Sequence, residues 1–302
     1  MDRPIIIDCD PGLDDSIAII AAEKIQDINI IGITTVAGNA CIENTSRNAL
    51  NLLDTISWEL PVVIGAGNPL IRERRLSKKK TGLGEVVLEE STREFLDIDV
   101  SDYIYEQAKK YNGDLEILAL APMTNISQAI IKYPELKSMI KSITFMGGTT
   151  RQGNITPSAE FNMYIDPHAA EIVFESGIPL TMVGLDVTKK AFLSFEDISY
   201  FQFFNSLHSN LIGQLLQSIH NRECICGENA IEVHDLVALA VMVLPDIVKK
   251  KKFKTSIETN NKQNLGMLLF DYRNISDEEK NIDIAVDIDV DAFIHWFKSL
   301  IC

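Results

Sequence analysis

Apolar runs of strand length alternate with helical patterns, one helix to each strand, and that rhythm leaves few folds open. Residues 4–7, 28–36, 61–65, 115–121, 143–146 and 180–185 read as buried strands; residues 14–24, a stretch ending near 56, 101–111, 125–132 and 166–176 read as helices. Strands that are apolar throughout are covered on both faces, and strand–helix–strand units wind parallel strands through right-handed crossovers. The pattern predicts an α/β fold: a mostly parallel central sheet with helices on both faces and a Rossmann-like core.

The last third departs from this rhythm. Residues 201–219 and 235–243 have helical patterns, 253–259 and 265–270 can pair as late strands, and Phe293, Trp296, Phe297 and Leu300 share one face of a final helix. No repeat, low-complexity linker or composition break divides the chain, so residues 1–302 are expected to form one domain. Residues 68–95 interrupt the alternation with a basic excursion bearing Arg72, Arg74, Arg75, Lys78, Lys79 and Lys80, then Gly82 and Gly84. It reads either as a solvated loop or as a flap over a ligand.

The formal net charge is −15, and such a field repels nucleic acid and anionic membranes. The expected partner is therefore neutral, cationic or held through a metal. No stretch reaches membrane length, and the first apolar run is too short for a signal peptide. Five cysteines at irregular spacing make no disulfide framework, and Cys224 with Cys226 lacks the partners of a zinc set. A reduced, cytoplasmic protein is expected.

In open α/β sheets ligands bind beyond the carboxyl ends of the strands, and the unusual polar residues gather there. The first strand runs into Asp8-Cys9-Asp10-Pro11-Gly12-Leu13-Asp14-Asp15, four carboxylates within eight residues. Like charges this close need a cation or protons between them, and an all-oxygen donor set suits calcium or magnesium. An acidic turn capping a helix is the alternative. Further strand ends carry Ala37-Gly38-Asn39, Leu120-Ala121-Pro122-Met123-Thr124-Asn125 and Met146-Gly147-Gly148. In the second of these, Thr124 is expected to cap a helix. The connection Gly153-Asn154 to Glu160-Phe161-Asn162 offers amides and a carboxylate, which suit hydroxyl groups that donate and accept together. His234-Asp235 opens a strongly apolar helix, where His234 is either a site residue or an ordinary cap. Gly65-Ala66-Gly67 lacks the rest of a dinucleotide fingerprint, and no phosphate-loop lysine motif or nucleophile elbow is present.

These segments, in this order and spacing over nearly the whole chain, resemble the inosine–uridine preferring nucleoside hydrolases; the first is close to their opening DTDPGxDD. The resemblance implies a nucleoside hydrolase-like fold and hydrolysis of the N-glycosidic bond of a ribonucleoside, with Ca2+ as cofactor. By it, Asp10, Asp15, Asp235 and the Leu120 carbonyl would bind calcium, supported by Asp8. Asp14 would be the general base and His234 would protonate or contact the leaving base. Asn39 and Asn162 would hold the 2′ and 3′ side of ribose, Asn154 and Glu160 its 5′-hydroxyl, and Met146 and Phe161 would line the pocket. A homodimer or homotetramer is implied as well.

Several positions differ from the family pattern. Lys78-Lys79 stand where a histidine–glycine pair is common, Glu232-Val233 and Leu236-Val237 flank His234-Asp235, and Arg222 lies where purine-accepting members carry tyrosines. Two rival functions stay in view. One is a haloacid-dehalogenase-like phosphatase with Asp8 as nucleophile. The other is a non-catalytic nucleoside- or sugar-binding protein of the same fold.

Overall fold

A computed structural model describes residues 3–73, 80–225 and 230–302. Arg74, Arg75, Lys78, Lys79 and Cys226, singled out above, lie outside the described residues. The strands are β1 (Pro4–Cys9), β2 (Asn29–Thr35), β3 (Val62–Ile64), β4 (Leu115–Ala119), β5 (Ile140–Met146), β6 (Leu180–Val183), β7 (Val248–Phe253), β8 (Thr255–Ile257), β9 (Leu268–Phe270) and β10 (Ile282–Ile288). Eight of them form one sheet in the order β3-β2-β1-β4-β5-β6-β10-β7, parallel except for the last pair. Chain direction across the sheet reverses between β1 and β4, so the carboxyl ends of these two strands border the crevice where ligands bind in such folds.

Helices cover both faces, as the alternation predicts. One core packs the helices Leu13–Lys24, Ile42–Thr55, His234–Val243 and Val290–Ile301 on one side; the other packs Val100–Tyr111, Thr124–Lys132 and Pro167–Phe174 on the opposite side. Helix His234–Val243 is buried from Asp235 to Met242, which explains its nearly unbroken apolar sequence.

The C-terminal part corrects several expectations. The helical pattern at 201–219 is two helices, Phe195–Phe203 and Leu207–Ile225. They are separated at Asn205, whose φ of 50° is left-handed, and Ser206 accepts from the Ser209 backbone at 3.1 Å to restart the helix. The late strand pair exists as the two-stranded β8–β9 sheet. Two strands of the main sheet, β7 and β10, escaped the reading altogether. β7 is Val-Lys-Lys-Lys-Lys-Phe, an antiparallel edge strand whose lysines are exposed, a composition that keeps a sheet edge from pairing with other chains. Thr124 does not cap its helix: Met123 occupies that position, and the Thr124 hydroxyl donates to Asp166 at 2.8 Å. The described end of the basic excursion is strapped to helix Ile42–Thr55, for Asn48 donates to the Thr81 carbonyl at 2.8 Å and Arg47 to that of Ser91 at 3.3 Å.

The end of the sheet opposite the site is held by a fork. Arg3 donates to both oxygens of the nearly buried Glu116 at 2.8 Å each, and also to the Met242 carbonyl at 2.8 Å, joining β1, β4 and the buried helix. Burial alone would raise the Glu116 pKa, but Arg3 and then Lys141 outweigh it and hold it below the usual value. A depressed carboxyl contributes stability above its unfolded pKa and loses it as pH falls through the folded one. Arg3→Ala should therefore cost about 1–3 kcal/mol at pH 7, read as a lower urea midpoint. The gap to the parent protein should narrow once pH falls below about 4.3; a gap that widens there would contradict the assignment.

Candidate active site

The acidic cluster is assembled by two helix starts and one strand end. Asp8 ends on β1, Asp14 and Asp15 occupy the first turn of helix Leu13–Lys24, and Asp235 the first turn of helix His234–Val243. The positive ends of both helices thus meet the carboxylates. Asp14, Asp15 and Asp235 each present an oxygen within 4.8 Å of the others, a spacing at which one cation can be shared. Asp10, Asp14 and Asp235 line one cavity of about 180 Å³ with Asn39, Leu120, Met146, Asn154, Glu160, Phe161, Asn162, Arg222 and His234. Of the site residues inferred from the sequence, all but Asp15 and the supporting Asp8 line it.

Polar neighbours hold the cluster in place. Asn39 Nδ2 donates to Asp15 Oδ2 at 3.0 Å and to Asp10 Oδ1 at 3.3 Å, and its backbone N–H donates to Asp10 Oδ2. That close approach requires glycine at 38, because a Cβ there would stand 1.9 Å from Asp10 Oδ2. Asp15 also accepts from the backbone N–H groups of Asp10 at 3.1 Å and Gly12 at 3.0 Å. The capping and metal-site explanations of this turn are therefore compatible: the same carboxylate ties down the turn and faces its acidic neighbours. Asp8 Oδ1 accepts from Thr34 at 2.6 Å and Asn125 at 2.7 Å, while Asp8 Oδ2 is buried with no partner.

The amide and carboxylate residues of the other cavity wall are held as firmly. Glu160 caps helix Phe161–Ile165, accepting from the backbone of Asn162 at 2.9 Å, Met163 at 3.2 Å and Gly148 at 3.0 Å. Asn162 donates to the carbonyls of Leu120 at 3.1 Å and Met146 at 3.2 Å. The Leu120 carbonyl has a second lone pair, so this bond does not prevent it from serving a cation. Asn154 Oδ1 accepts from the Phe161 backbone at 2.9 Å.

Three contributors were not assigned roles from sequence. Asn125 bridges strand ends, donating to Asp8 and, at 3.0 Å, to the Thr35 carbonyl while accepting from Ala66. Thr188 Oγ1 lies 2.8 Å from His234 Nδ1, and Glu232 Oε2 lies 3.1 Å from its Nε2. Burial lowers the His234 pKa, but Glu232, Asp14 and Glu160 outweigh it, and the net shift is upward. Glu232 had a sequence signal, an acid two residues before a site histidine; Thr188 had none, being 46 residues away.

The donor set fits a hard divalent cation: a main-chain carbonyl and four buried carboxylates, one of which, Asp8, keeps a buried oxygen without a partner. Burial, reinforced at Asp15 by Asp14, pushes Asp8 up to about 6 and Asp15 up to about 7. Asp10 and Asp235 are driven well above the usual range by burial, then by Asp15 and Asp14 respectively. A raised carboxyl favours the folded state fully below its unfolded pKa and loses that contribution as pH rises through the folded one. Metal-free protein should thus lose at least about 5 °C of Tm between pH 5 and pH 8, and added divalent cation should restore it at pH 8. A chelator-treated protein whose Tm is flat with pH and indifferent to divalent ions would contradict this charge balance.

Comparison with known proteins supplies independent evidence. The sequence model of a family described as inosine-uridine preferring nucleoside hydrolase matches residues 5–295. The pyrimidine-specific ribonucleoside hydrolase RihA of Photobacterium profundum is 36% identical over 97% of both chains. That of Escherichia coli is 34% identical over 97% of this chain and 96% of its own. Among solved structures, a purine-preferring ribonucleoside hydrolase from Gardnerella vaginalis shares the fold at TM-score 0.93 and 31% identity, covering 99% of this chain and 98% of that one.

Proposed function

The chain belongs to the inosine–uridine preferring nucleoside hydrolase family, and from that premise we propose that residues 1–302 form a single catalytic unit that uses Asp14 as general base, with calcium as cofactor, to hydrolyse the N-glycosidic bond of a ribonucleoside to ribose and free base. The observation that carries this reading is the cavity in which Asp14 and Asp235 face Asn39, Asn154, Glu160 and Asn162. Acids that can share a cation stand there opposite groups matched to sugar hydroxyls.

In this reading Asp10, Asp15, Asp235 and the Leu120 carbonyl hold the ion. Calcium held there would supply positive charge that attracts sugar hydroxyls and makes a nearby water more acidic. Asp14, the least buried of the acids in the first turn, takes a proton from the water that attacks C1′. Direct attack on the face opposite the base inverts C1′, and the surrounding carboxylates stabilise the positive charge that develops on the sugar. Asn39 and Asn162 orient the 2′ and 3′ hydroxyls, Asn154 and Glu160 the 5′-hydroxyl. Met146 and Phe161 shape the walls.

His234, whose proton is favoured by Glu232, faces the departing base and lends it a proton. Both its ring nitrogens already have partners, so the base must take the place of one of them as acceptor. The phosphatase alternative gains no support: Asp8 does not line the cavity, and Thr34 and Asn125 occupy one of its oxygens. The non-catalytic alternative has no observation in its favour, because Asp14 is present in the cavity.

Asp14→Asn should retain about one calcium per chain by elemental analysis while kcat for a natural ribonucleoside falls about 10²–10⁴-fold. Loss of calcium along with turnover would make Asp14 a ligand rather than the base, and near-normal turnover would remove it from the chemistry.

His234→Ala should lower kcat strongly for uridine or inosine and only slightly for a nitrophenyl riboside, whose aglycone leaves without a proton. Equal losses on both substrates would replace leaving-group protonation with a positioning role.

A further inference from the structure

A second cavity, of about 530 Å³, shares no lining residue with the acidic one and has the opposite character. Its wall includes Arg72, Tyr164, His168, Thr259, Asn260 and Lys262, and no carboxylate among the described residues. In a chain of net charge −15 such a gathering of basic groups is a local reversal of the field. Neither Arg72 nor Lys262 forms a salt bridge among the described residues.

The basic groups are pre-set. The Arg72 guanidinium lies over the Tyr164 ring, 5.0 Å from its centroid, and its Nη1 donates to the Tyr164 carbonyl at 3.0 Å. Stacking plus one hydrogen bond fixes the plane of the fork before any ligand arrives. His168 sits in the first turn of helix Pro167–Phe174, and its Nδ1 is buried without a hydrogen-bond partner. That nitrogen is sealed from the cavity, so His168 serves as a wall of the site and the ligand contacts fall to Arg72 and Lys262. The opposite wall is equally firm: Gly266, at φ +78°, is packed so closely on helix Phe161–Ile165 that a Cβ would stand 2.7 Å from Tyr164 Cα. The loop between β8 and β9, which carries Thr259, Asn260 and Lys262, is thereby anchored beside Tyr164.

We propose that this cavity is a second ligand site, for a phosphate monoester. A planar fork and an ammonium match a compact dianion better than a monovalent carboxylate. The volume is that of a small-molecule site and exceeds what an inorganic oxyanion fills. Thr259 and Asn260 provide the hydroxyl and amide that a sugar attached to the phosphate would use. Nothing in this assignment depends on the chemistry of the acidic cavity.

The test is calorimetric titration of the full chain, as purified with its metal, using inorganic phosphate and ribose 5-phosphate as probes, with saturating ribose present to occupy the acidic cavity. One site per chain is expected for each probe, with ribose 5-phosphate bound at least as tightly as phosphate. Arg72→Ala and Lys262→Ala should each weaken binding about tenfold. Lys262 is exposed, so its replacement leaves the fold intact even if loss of Arg72 loosens the Tyr164 wall. Binding seen only when ribose is left out, binding unchanged in both variants, or no binding at millimolar probe would each overturn the proposal.

Discussion

The structure turns on the mutual repulsion of buried carboxylates at one end of a parallel sheet. Asp8, Asp10, Asp15 and Asp235 are all nearly inaccessible, and each is driven toward its protonated form by the loss of water. Such a group of like charges would push the strand ends apart in a chain held only by apolar contacts. Here the opposing forces are specific. Asn39, Thr34 and Asn125 donate to Asp8, Asp10 and Asp15, backbone N–H groups close the turn after β1, and two helix N-termini direct partial positive charge at the cluster. These donors reduce the repulsion without removing it, and the remainder favours a divalent cation.

Much of this was legible in the sequence because two periodicities coincide with function. Unbroken apolar strands announce a sheet covered on both faces, and the residues immediately after such strands must lie at its ligand-binding edge. Asp10, Asn39, Leu120 and Met146 could therefore be placed by position alone. Asp235 could be placed because a charged residue at the mouth of an entirely apolar helix has little reason to be there unless it faces a site. What could not be read lay where pattern and environment diverge. β7 carries four consecutive lysines, which no strand pattern would suggest, and is a strand because its backbone pairs with β10 at the sheet edge. The break at Asn205 depends on a single left-handed residue within an otherwise continuous apolar periodicity. Long-range partners such as Thr188 for His234 leave no local trace.

The amide-bearing wall of the cavity depends on a different set of hydrogen bonds. Glu160, Asn154 and Asn162 each satisfy the backbone around helix Phe161–Ile165 as well as lining the cavity. That short helix could not hold its shape by propensity, since helices of this length are unstable in water. Its ends are instead fixed by the polar side chains that face the substrate space. Residues with two duties of this kind are positioned to within a narrow range, the condition under which hydrogen bonds to a sugar discriminate between hydroxyl patterns.

The same logic extends to His234 and separates this chain from a generic sheet-end site. An isolated buried imidazole would lose its proton to desolvation. Here Glu232 engages one ring nitrogen, Thr188 the other, and Lys189 approaches Glu232 at 3.7 Å. Glu232 has its own pKa lowered despite burial, with His234 and Lys189 overcoming desolvation, so it remains a carboxylate able to keep the imidazole charged. Glu232 comes from the segment preceding the buried helix, whereas Thr188 and Lys189 follow β6. The charge state of His234 therefore depends on the packing of the segment before its helix and of the segment after β6. Asp14 and Glu160 also raise the His234 pKa, so the imidazole and the acids of the cavity are electrostatically linked, and Thr188 and Glu232 act on that shared balance from outside the acidic cluster.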